Sequence, residues 1–247
     1  MDNDIFLSVI FPAYNEEKRI GKTLKIAHDY LSKQDYTYEI IVILDGPKDN
    51  TIGAVKEIEP QIKNLVIIDN KINQGKGAVV RQAMMAARGK LRLFSDSDNS
   101  TSIDQVEKII AEYKKGAEVI IGSRDIPGAK KDPPQPWYRT LLGDGFGLLV
   151  RIILGLWGIP DTQCGFKALS DKATKEIMPL CEIKRFAFDP EILVIAKKLG
   201  YEIVQVPVIW VNDLMSTVKP NAIFNMFKDV LKIKMLSIVG EYDKKDV

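Results

Sequence analysis

The chain has 247 residues, 46% of them apolar, which is enough to fill a sizeable core in one domain with an extension. Its 35 basic and 33 acidic residues nearly cancel, so the overall charge gives no indication of a nucleic-acid partner. The single histidine, His28, excludes histidine-based triads and multi-histidine zinc sites, and leaves carboxylates, cations and backbone groups to carry any chemistry.

Short β-branched runs alternate with segments of helical spacing through the first half of the chain. The predicted strands are residues 7–12, 39–44, 65–69, 91–94 and 118–122. The predicted helices between them are residues 16–34, 50–59, 76–88 and 103–115. This alternation predicts a Rossmann-like, mostly parallel sheet flanked by crossover helices. Ligands of such sheets bind beyond the carboxyl ends of the strands, so three polar clusters there should share one rim: "PAYNEE", "LDGPKDNT" and "SDSDNST".

The second half of the chain has a different character. Four prolines within residues 126–137 predict an irregular surface loop. An apolar helix is then expected over Trp137–Ile159, and its internal Asp144 and Arg151 disfavour a membrane span. The remaining predicted elements are helices near 171–178 and 189–199, a strand near 203–211 and a closing helix from residue 220.

Asp96 and Asp98 follow a predicted buried strand with one serine between them. At the end of an extended segment, two such carboxylates can point at one cation, and Mg²⁺ or Mn²⁺ prefers oxygen ligands while leaving positions for phosphate. The competing interpretation is a solvated turn, because Asp, Asn and Ser favour turns.

Three further motifs lie at the same predicted rim. Pro12–Glu16 ends the first strand and exposes Tyr14 for ring packing, although Glu16 also suits a helix start. Asp45 can accept a hydrogen bond from a nucleobase or serve an ordinary turn. Lys76, flanked by two glycines before a helix, can meet phosphate oxygens, although the P-loop spacing is absent.

A family resemblance rests on motifs in a fixed order. They are "FPAYNEE", "LDGPKDNT", "NQGKGAV", "SDSDNST", "GSRDIPGA", "DTQCGFKAL", "FAFDPEIL" and "STVKP". This set resembles the family-2 glycosyltransferases that charge a polyprenyl (dolichyl) phosphate with a sugar. "DTQCGFK" and the closing segment look most like the glucosyltransferases that use a UDP-sugar, UDP-glucose or UDP-N-acetylglucosamine, and the GDP-mannose-dependent mannose synthases are the runner-up. The resemblance implies a GT-A fold, Mg²⁺ or Mn²⁺ as cofactor, and inverting transfer to a lipid phosphate.

The resemblance implies one GT-A domain over residues 1–247. Its matched positions imply a nucleotide-sugar half (1–122) and an acceptor half (123–247). The implied donor-binding residues are Pro12, Tyr14, Glu16, Asp45, Lys76 and Asp96. Asp96 and Asp98 are the implied catalytic and metal-binding pair. The implied acceptor-binding residues are Arg124, Arg139 and Lys219. The sequence departs from the family pattern at Leu44, Ser100 and Thr217.

The acceptor half is expected to meet a membrane. Trp137–Ile159 carries a narrow polar stripe and a tryptophan near each end, which favours a C-terminal amphipathic, interfacial helix over a buried one. The closing helix, with three lysines among apolar residues, is expected to lie beside it on an anionic bilayer. We therefore expect a peripheral protein on the cytoplasmic face of a membrane, attached directly, as a homo-oligomer or through a membrane partner subunit.

Two alternatives from other classes stay open on the sequence alone. A sugar-1-phosphate nucleotidyltransferase also builds a nucleotide site on an alternating sheet, but the glycine-rich phosphate loop after the first strand is absent. A non-catalytic sugar-nucleotide-binding module is compatible with the departures at Leu44 and Ser100.

Overall fold

The computed structural model describes residues 4–133, 137–211 and 220–243, with all side chains in these ranges except those of residues 137–142, 144 and 220–223. The strands are β1 (Leu7–Ala13), β2 (Tyr38–Asp45), β3 (Leu65–Asn70), β4 (Leu91–Ser95), β5 (Val119–Ser123), β6 (Lys130–Asp132), β7 (Phe166–Ser170), β8 (Ile203–Pro207) and β9 (Ile209–Val211). The α-helices are α1 (Ile20–Leu31), α2 (Thr51–Ile58), α3 (Lys76–Ala86), α4 (Val106–Lys114), α5 (Trp137–Leu154), α6 (Asp171–Ile177), α7 (Phe188–Lys198) and α8 (Pro220–Ile238).

A seven-stranded sheet with the order β3-β2-β1-β4-β7-β5-β8 forms the centre of the molecule. Its neighbouring strands are parallel except at β7, which runs antiparallel to both β4 and β5. The prediction of a mostly parallel sheet is confirmed, and the five strands predicted in the first half match β1 to β5 closely. Strand β7 was not predicted from the sequence.

Each face of the sheet is covered by its own set of helices. The side chains alternate along β1, so that Val9 packs into one core cluster and Ile10 into the other. Helices α1, α2 and α4 contribute to the first cluster, and α3, α5, α6, α7 and α8 contribute to the second. Because both faces are buried, the strands read as continuous apolar runs.

Three predicted boundaries in the second half are wrong. The proline-rich segment is not wholly irregular, because Lys130–Asp132 forms β6 and pairs in parallel with β9. The predicted strand at 203–211 is divided into β8 and β9. Helix α5 ends at Leu154 because Gly155 takes a φ of +69°, a conformation that ends helices.

Helices α5 and α8 contact each other and leave apolar side chains facing outward. Val150 and Ile233 are buried in the core, whereas Leu148, Ile152 and Met235 are exposed. Across the described residues, none of the helices combines the length and the apolar character needed to span a bilayer. The interfacial role of these two helices stays a prediction.

Candidate active site

A cavity of about 530 Å³ opens at the carboxyl ends of β1, β2 and β4. Its lining residues are Pro12, Ala13, Tyr14, Glu16, Arg19, Asp45, Asn73, Gly75, Lys76, Val79, Asp96, Ser97, Asp98, Arg185 and Phe186. The expectation that the three polar clusters share one rim is therefore confirmed. Every residue predicted to bind donor or metal lines this one cavity.

Asp96 lies at the floor of the cavity, directly after β4. Its carboxylate forms a salt bridge with Lys76, the first residue of α3. Its backbone N–H donates to the carbonyl of Gly165 at 3.1 Å. A Cβ atom at Gly165 would lie 2.1 Å from Oδ2 of Asp96, so the absence of a side chain there makes room for the carboxylate.

Asp98 lines the same cavity, and its Oδ1 accepts a hydrogen bond from the N–H of Ser100 at 2.9 Å. Burial and the negative charge of Asp96 raise the pKa of Asp98 above its ordinary value, against the opposing effects of the Ser100 N–H and of Lys76. A cation between the two carboxylates would remove this repulsion.

The donor set suits a hard divalent cation that also binds the substrate. Within the described ranges, no group of three or more histidine, cysteine or acidic side chains is placed to hold a metal ion. Mg²⁺ is commonly held by one or two carboxylates together with substrate phosphates, so Asp96 and Asp98 fit such an ion if a diphosphate completes the coordination. Ser100, at the position where mannose synthases have a metal-binding glutamine, is buried and does not line the cavity.

Asp45 binds the neighbouring loop in this structure. Its carboxylate accepts hydrogen bonds from the side chain of Asn73 at 2.9 Å and from the N–H groups of Gln74 and Gly75 at 2.6 and 3.0 Å. Gly75 has a φ of +100°, which favours glycine, and α3 begins at the next residue. Asp45 thus fixes the turn that delivers Lys76, while its predicted contact with the nucleobase stays a prediction.

The outer rim of the cavity is formed by the loop after β1. Tyr14 is 40% exposed, which leaves its ring available to stack on a planar ligand. Glu16 forms a bidentate ion pair with Arg19, at 2.7 and 2.8 Å. The N–H of Glu16 also donates to the hydroxyl of Thr51, so this loop is tied to the start of α2.

Arg124, predicted to bind the acceptor phosphate, follows β5 outside the lining of the cavity. Its Nε and Nη2 donate to the carboxylate of Asp161 at 2.7 and 2.8 Å, and its guanidinium lies 5.6 Å from the ring centroid of Trp210. Asp161 is buried, yet Arg124 outweighs the effect of burial and holds the pKa of Asp161 below its ordinary value.

The other two predicted acceptor-binding residues are Arg139 and Lys219. The side chain of Arg139 and the whole of Lys219 lie outside the described residues, so their roles stay predictions.

Sequence reasoning missed several residues at or near the site. Asn73 supports Asp45, Arg185 and Phe186 form one wall of the cavity, and Asp161 holds Arg124. The motifs "DTQCGFKAL" and "FAFDPEIL" carried a signal, since they contain or adjoin three of these residues. Their location near the cavity could not be predicted without strand β7, which brings this part of the chain next to β4.

A family model for glycosyl transferase family 2 matches residues 8–178, which is more than half of the chain. The chain belongs to glycosyltransferase family 2. It is 36% identical to the dolichyl-phosphate beta-glucosyltransferase of Dictyostelium discoideum, over 96% of this chain and 76% of that protein. It is 34% identical to the enzyme of the same name from Saccharomyces cerevisiae (98% and 78% covered) and 31% identical to that from Homo sapiens (96% and 77% covered).

Solved structures show that this family-2 member has the GT-A fold. Glucosyl-3-phosphoglycerate synthase from Mycobacterium tuberculosis, crystallised with Mn²⁺ and UDP-glucose, superposes with a TM-score of 0.68 at 18% identity, covering 98% of this chain and 81% of that one. Mannosyl-3-phosphoglycerate synthase from Rubrobacter xylanophilus superposes with a TM-score of 0.68 at 14% identity, covering 98% and 77%. The family model and the curated relatives show that the chain is a glycosyltransferase enzyme, not a nucleotidyltransferase or a non-catalytic module.

Proposed function

We propose that this glycosyltransferase transfers glucose from UDP-glucose to dolichyl phosphate, or to a closely related polyprenyl phosphate, with inversion at the anomeric carbon. One observation carries the proposal: Lys76, Asp96 and Asp98 meet in a single cavity of a chain that resembles dolichyl-phosphate beta-glucosyltransferases over nearly its whole length. The product would supply lipid-linked sugar for protein glycosylation.

The donor half of the reaction concerns the leaving nucleoside diphosphate. Negative charge develops on the diphosphate as the glycosidic bond breaks, so fixed cationic groups stabilise the transition state. Lys76 supplies one such charge, at the N-terminus of α3, where the helix dipole also favours an anion. Mg²⁺ or Mn²⁺, held by Asp98 together with Asp96, would supply Lewis-acid stabilisation of the same group. Tyr14 would pack on the base and Pro12, Glu16 and Asp45 would shape the rest of the site.

The acceptor half needs positioning more than proton transfer. A phosphate monoester has a second pKa of about 6 and is mostly dianionic at neutral pH, so it can attack without a general base. This agrees with a cavity that contains no histidine among its lining residues. Arg124, held in place by Asp161, would bind the acceptor phosphate together with Arg139 and Lys219, since a guanidinium fork matches phosphate oxygens.

The lipid acceptor implies a membrane surface beside the site. The exposed side chains of Leu148, Ile152, Leu231, Met235 and Ile238 on α5 and α8 are the surface that we propose enters the bilayer interface. Attachment would be peripheral, on the cytoplasmic face, by this surface alone, as a homo-oligomer or with a membrane partner subunit.

A donor comparison tests the proposal. The purified protein is incubated with radiolabelled UDP-glucose, UDP-N-acetylglucosamine or GDP-mannose plus dolichyl phosphate, with and without Mg²⁺ or Mn²⁺. We expect label to enter the organic phase from UDP-glucose, and only when a divalent cation is present. Transfer from GDP-mannose alone would reassign the enzyme as a mannose synthase. Label that stays aqueous with every donor would refute the proposal.

A further inference from the structure

A second lysine lies buried behind the cavity, in the centre of the apolar core. Lys167 is on β7, opposite Phe94 of β4, and its side chain is only 1% exposed. Its ammonium forms a salt bridge with Asp189, the second residue of α7, and also donates to the carbonyl of Cys164. The ammonium also lies 5.8 Å from the ring centroid of Phe94. Neither Lys167 nor Asp189 lines the cavity.

This buried pair adjoins the pair formed by Lys76 and Asp96. Phe188, next to Asp189 in the chain, has its ring centroid 5.7 Å from the Lys76 ammonium. The rings of Phe94 and Phe188 are in contact, with centroids 5.5 Å apart. The rings of Phe188 and Phe94 therefore connect the salt bridge of Lys76 with Asp96 at the cavity to the buried salt bridge of Lys167 with Asp189.

Stability does not explain why a lysine occupies this core position. Removing two charges from water costs about as much as their attraction returns, and apolar replacements of similar volume are often neutral or stabilising by roughly 1–4 kcal/mol. A leucine or methionine on β7 would fill the same space between β4 and β5. The charged pair is better explained by its effect on Lys76, which lies between the pair and the cavity.

We propose that Asp189 and Lys167 are positioning residues that fix the Lys76 ammonium at the leaving diphosphate. Asp96 is not dedicated to Lys76, because its carboxylate is partly exposed to the cavity and would also bind a divalent cation. Asp189 adds a second negative charge that acts through space on the Lys76 ammonium, and its salt bridge with Lys167 holds that charge in place. The inference rests on the proposed function, in which Lys76 stabilises the leaving group.

A neutral replacement of the whole pair separates positioning from folding. In Lys167→Met/Asp189→Asn neither charge is left unpaired, so we expect the thermal midpoint to stay within a few degrees of the wild type. We expect kcat for glucosyl transfer to fall about tenfold or more, which corresponds to about 1.4 kcal/mol of transition-state stabilisation, with a smaller change in KM for UDP-glucose. A variant with wild-type kcat would overturn the inference.

The matched control is an ion pair of the same sheet that is remote from the cavity lining and has a buried cation. Arg92 of β4 is 5% exposed on its side chain and pairs with Asp171 at the start of α6, whose side chain is 38% exposed. Arg92→Met/Asp171→Asn removes a buried cation and its partner away from the cavity, and we expect it to leave kcat unchanged. Equal losses of kcat in the two double variants would overturn the inference, because the removal of an ion pair anywhere in this sheet would then lower kcat equally.

A double-mutant cycle shows whether the pair acts through Lys76. In a Lys76→Met background, replacing Lys167 and Asp189 should cause little further loss of kcat, because the group that they position is already absent. Fully additive losses would overturn the inference. If Lys167→Met/Asp189→Asn does not fold, Asp189→Glu takes its place in the cycle, since it keeps the charge and moves it by one methylene.

Failure of the inference and failure of the proposed function give different results. A wild-type protein that transfers sugar from none of the donors refutes the proposed function and this inference with it. An active wild type whose Lys167→Met/Asp189→Asn variant is equally active refutes the inference alone. Calorimetric titration with UDP and Mn²⁺ gives a readout independent of turnover. We expect Lys167→Met/Asp189→Asn to bind UDP more weakly and Arg92→Met/Asp171→Asn to bind it with unchanged affinity.

Discussion

Asp45 and Gly75 are joined by a hydrogen bond of 3.0 Å from the Gly75 N–H to the Asp45 carboxylate, immediately before the helix that carries Lys76. A carboxylate that accepts from Asn73, Gln74 and Gly75 together sets the conformation of this turn. The position of Lys76 is thus determined by Asp45, a residue whose side chain was expected to bind the nucleobase.

Asp45→Asn distinguishes these two roles. The amide nitrogen of Asn cannot accept from the loop N–H groups, so we expect a KM increase of about tenfold that is equal for uridine and cytidine donors. Direct reading of the base predicts a different outcome: Asn would donate to N3 of cytosine, and the preference would move toward CDP-glucose. The measurement is KM for both donors, with unfolding curves to monitor the loss of loop stability.

Asp98→Ala should abolish transfer while leaving the fold intact, because Asp98 lines the cavity and its carboxylate accepts a local hydrogen bond from Ser100, two residues away. We expect kcat to fall by about a hundredfold or more, and the affinity for Mn²⁺ in the presence of UDP to fall with it. Asp104→Ala is the matched control, since Asp104 is an exposed acidic residue in the next turn of the chain. Wild-type rates in Asp98→Ala would remove the proposed metal role.

Gly165→Ala should displace the carboxylate of Asp96. The added methyl group would begin 2.1 Å from Oδ2, far inside van der Waals contact, so the carboxylate must move from its salt bridge with Lys76. We expect a large loss of kcat with a stability cost of about 1–3 kcal/mol, typical of overpacking. Gly147→Ala on α5 is the control, because nothing lies within 4 Å of a Cβ atom there, and helix propensity predicts a gain of about 0.5–1 kcal/mol.

Asp161→Asn should make the free energy of unfolding less dependent on pH in the acidic range. Because Arg124 holds the pKa of Asp161 below the ordinary value of 3.8, this pair contributes its full stability above that value and loses it as pH falls through the lowered pKa. We expect the variant to be less stable by about 3–5 kcal/mol near neutral pH, the cost of leaving one partner of a buried pair. The difference in the free energy of unfolding between the wild type and Asp161→Asn should become smaller when urea unfolding is measured below about pH 4. A difference that is constant with pH would indicate lost packing instead.

Ile152→Asp and Met235→Asp should weaken binding to anionic vesicles. Both side chains are exposed on the surface shared by α5 and α8, and burying a charge in the bilayer interface is unfavourable. Co-sedimentation with vesicles that contain phosphatidylserine measures the effect. Ile72→Asp is the control, because Ile72 is 78% exposed but lies on the loop after β3. Unchanged sedimentation of all three variants would refute the membrane-facing surface.

The sequence predicted the first half of the fold well because its strands are rich in β-branched and other apolar residues and are bounded by turn residues. Each strand from β1 to β5 ends in a polar cluster, and the rule for parallel sheets was sufficient to bring Tyr14, Asp45 and Asp96 to one rim. The local signals agree with the tertiary structure in this half, so the sequence alone is sufficient to group the donor-side residues.

The second half resisted the same reasoning for a physical reason. Strand β7 has a lysine, Lys167, as the second of its five residues, and a buried charge breaks the apolar pattern that identifies a central strand. Its charge is compensated by Asp189, a partner 22 residues away that no local pattern reveals. The same holds for Arg124, whose link to Asp161 depends on a contact across 37 residues.

Strand β7 lies between β4 and β5, so a segment from residues 123–247 completes the sheet that residues 1–122 begin. Cutting the chain after residue 122 would open a gap in the middle of that sheet and expose the edges of two buried strands. The parts of this chain before and after residue 122 therefore cannot be exchanged independently between relatives. Chimeras must exchange surface helices and keep β7 with the sheet that it completes.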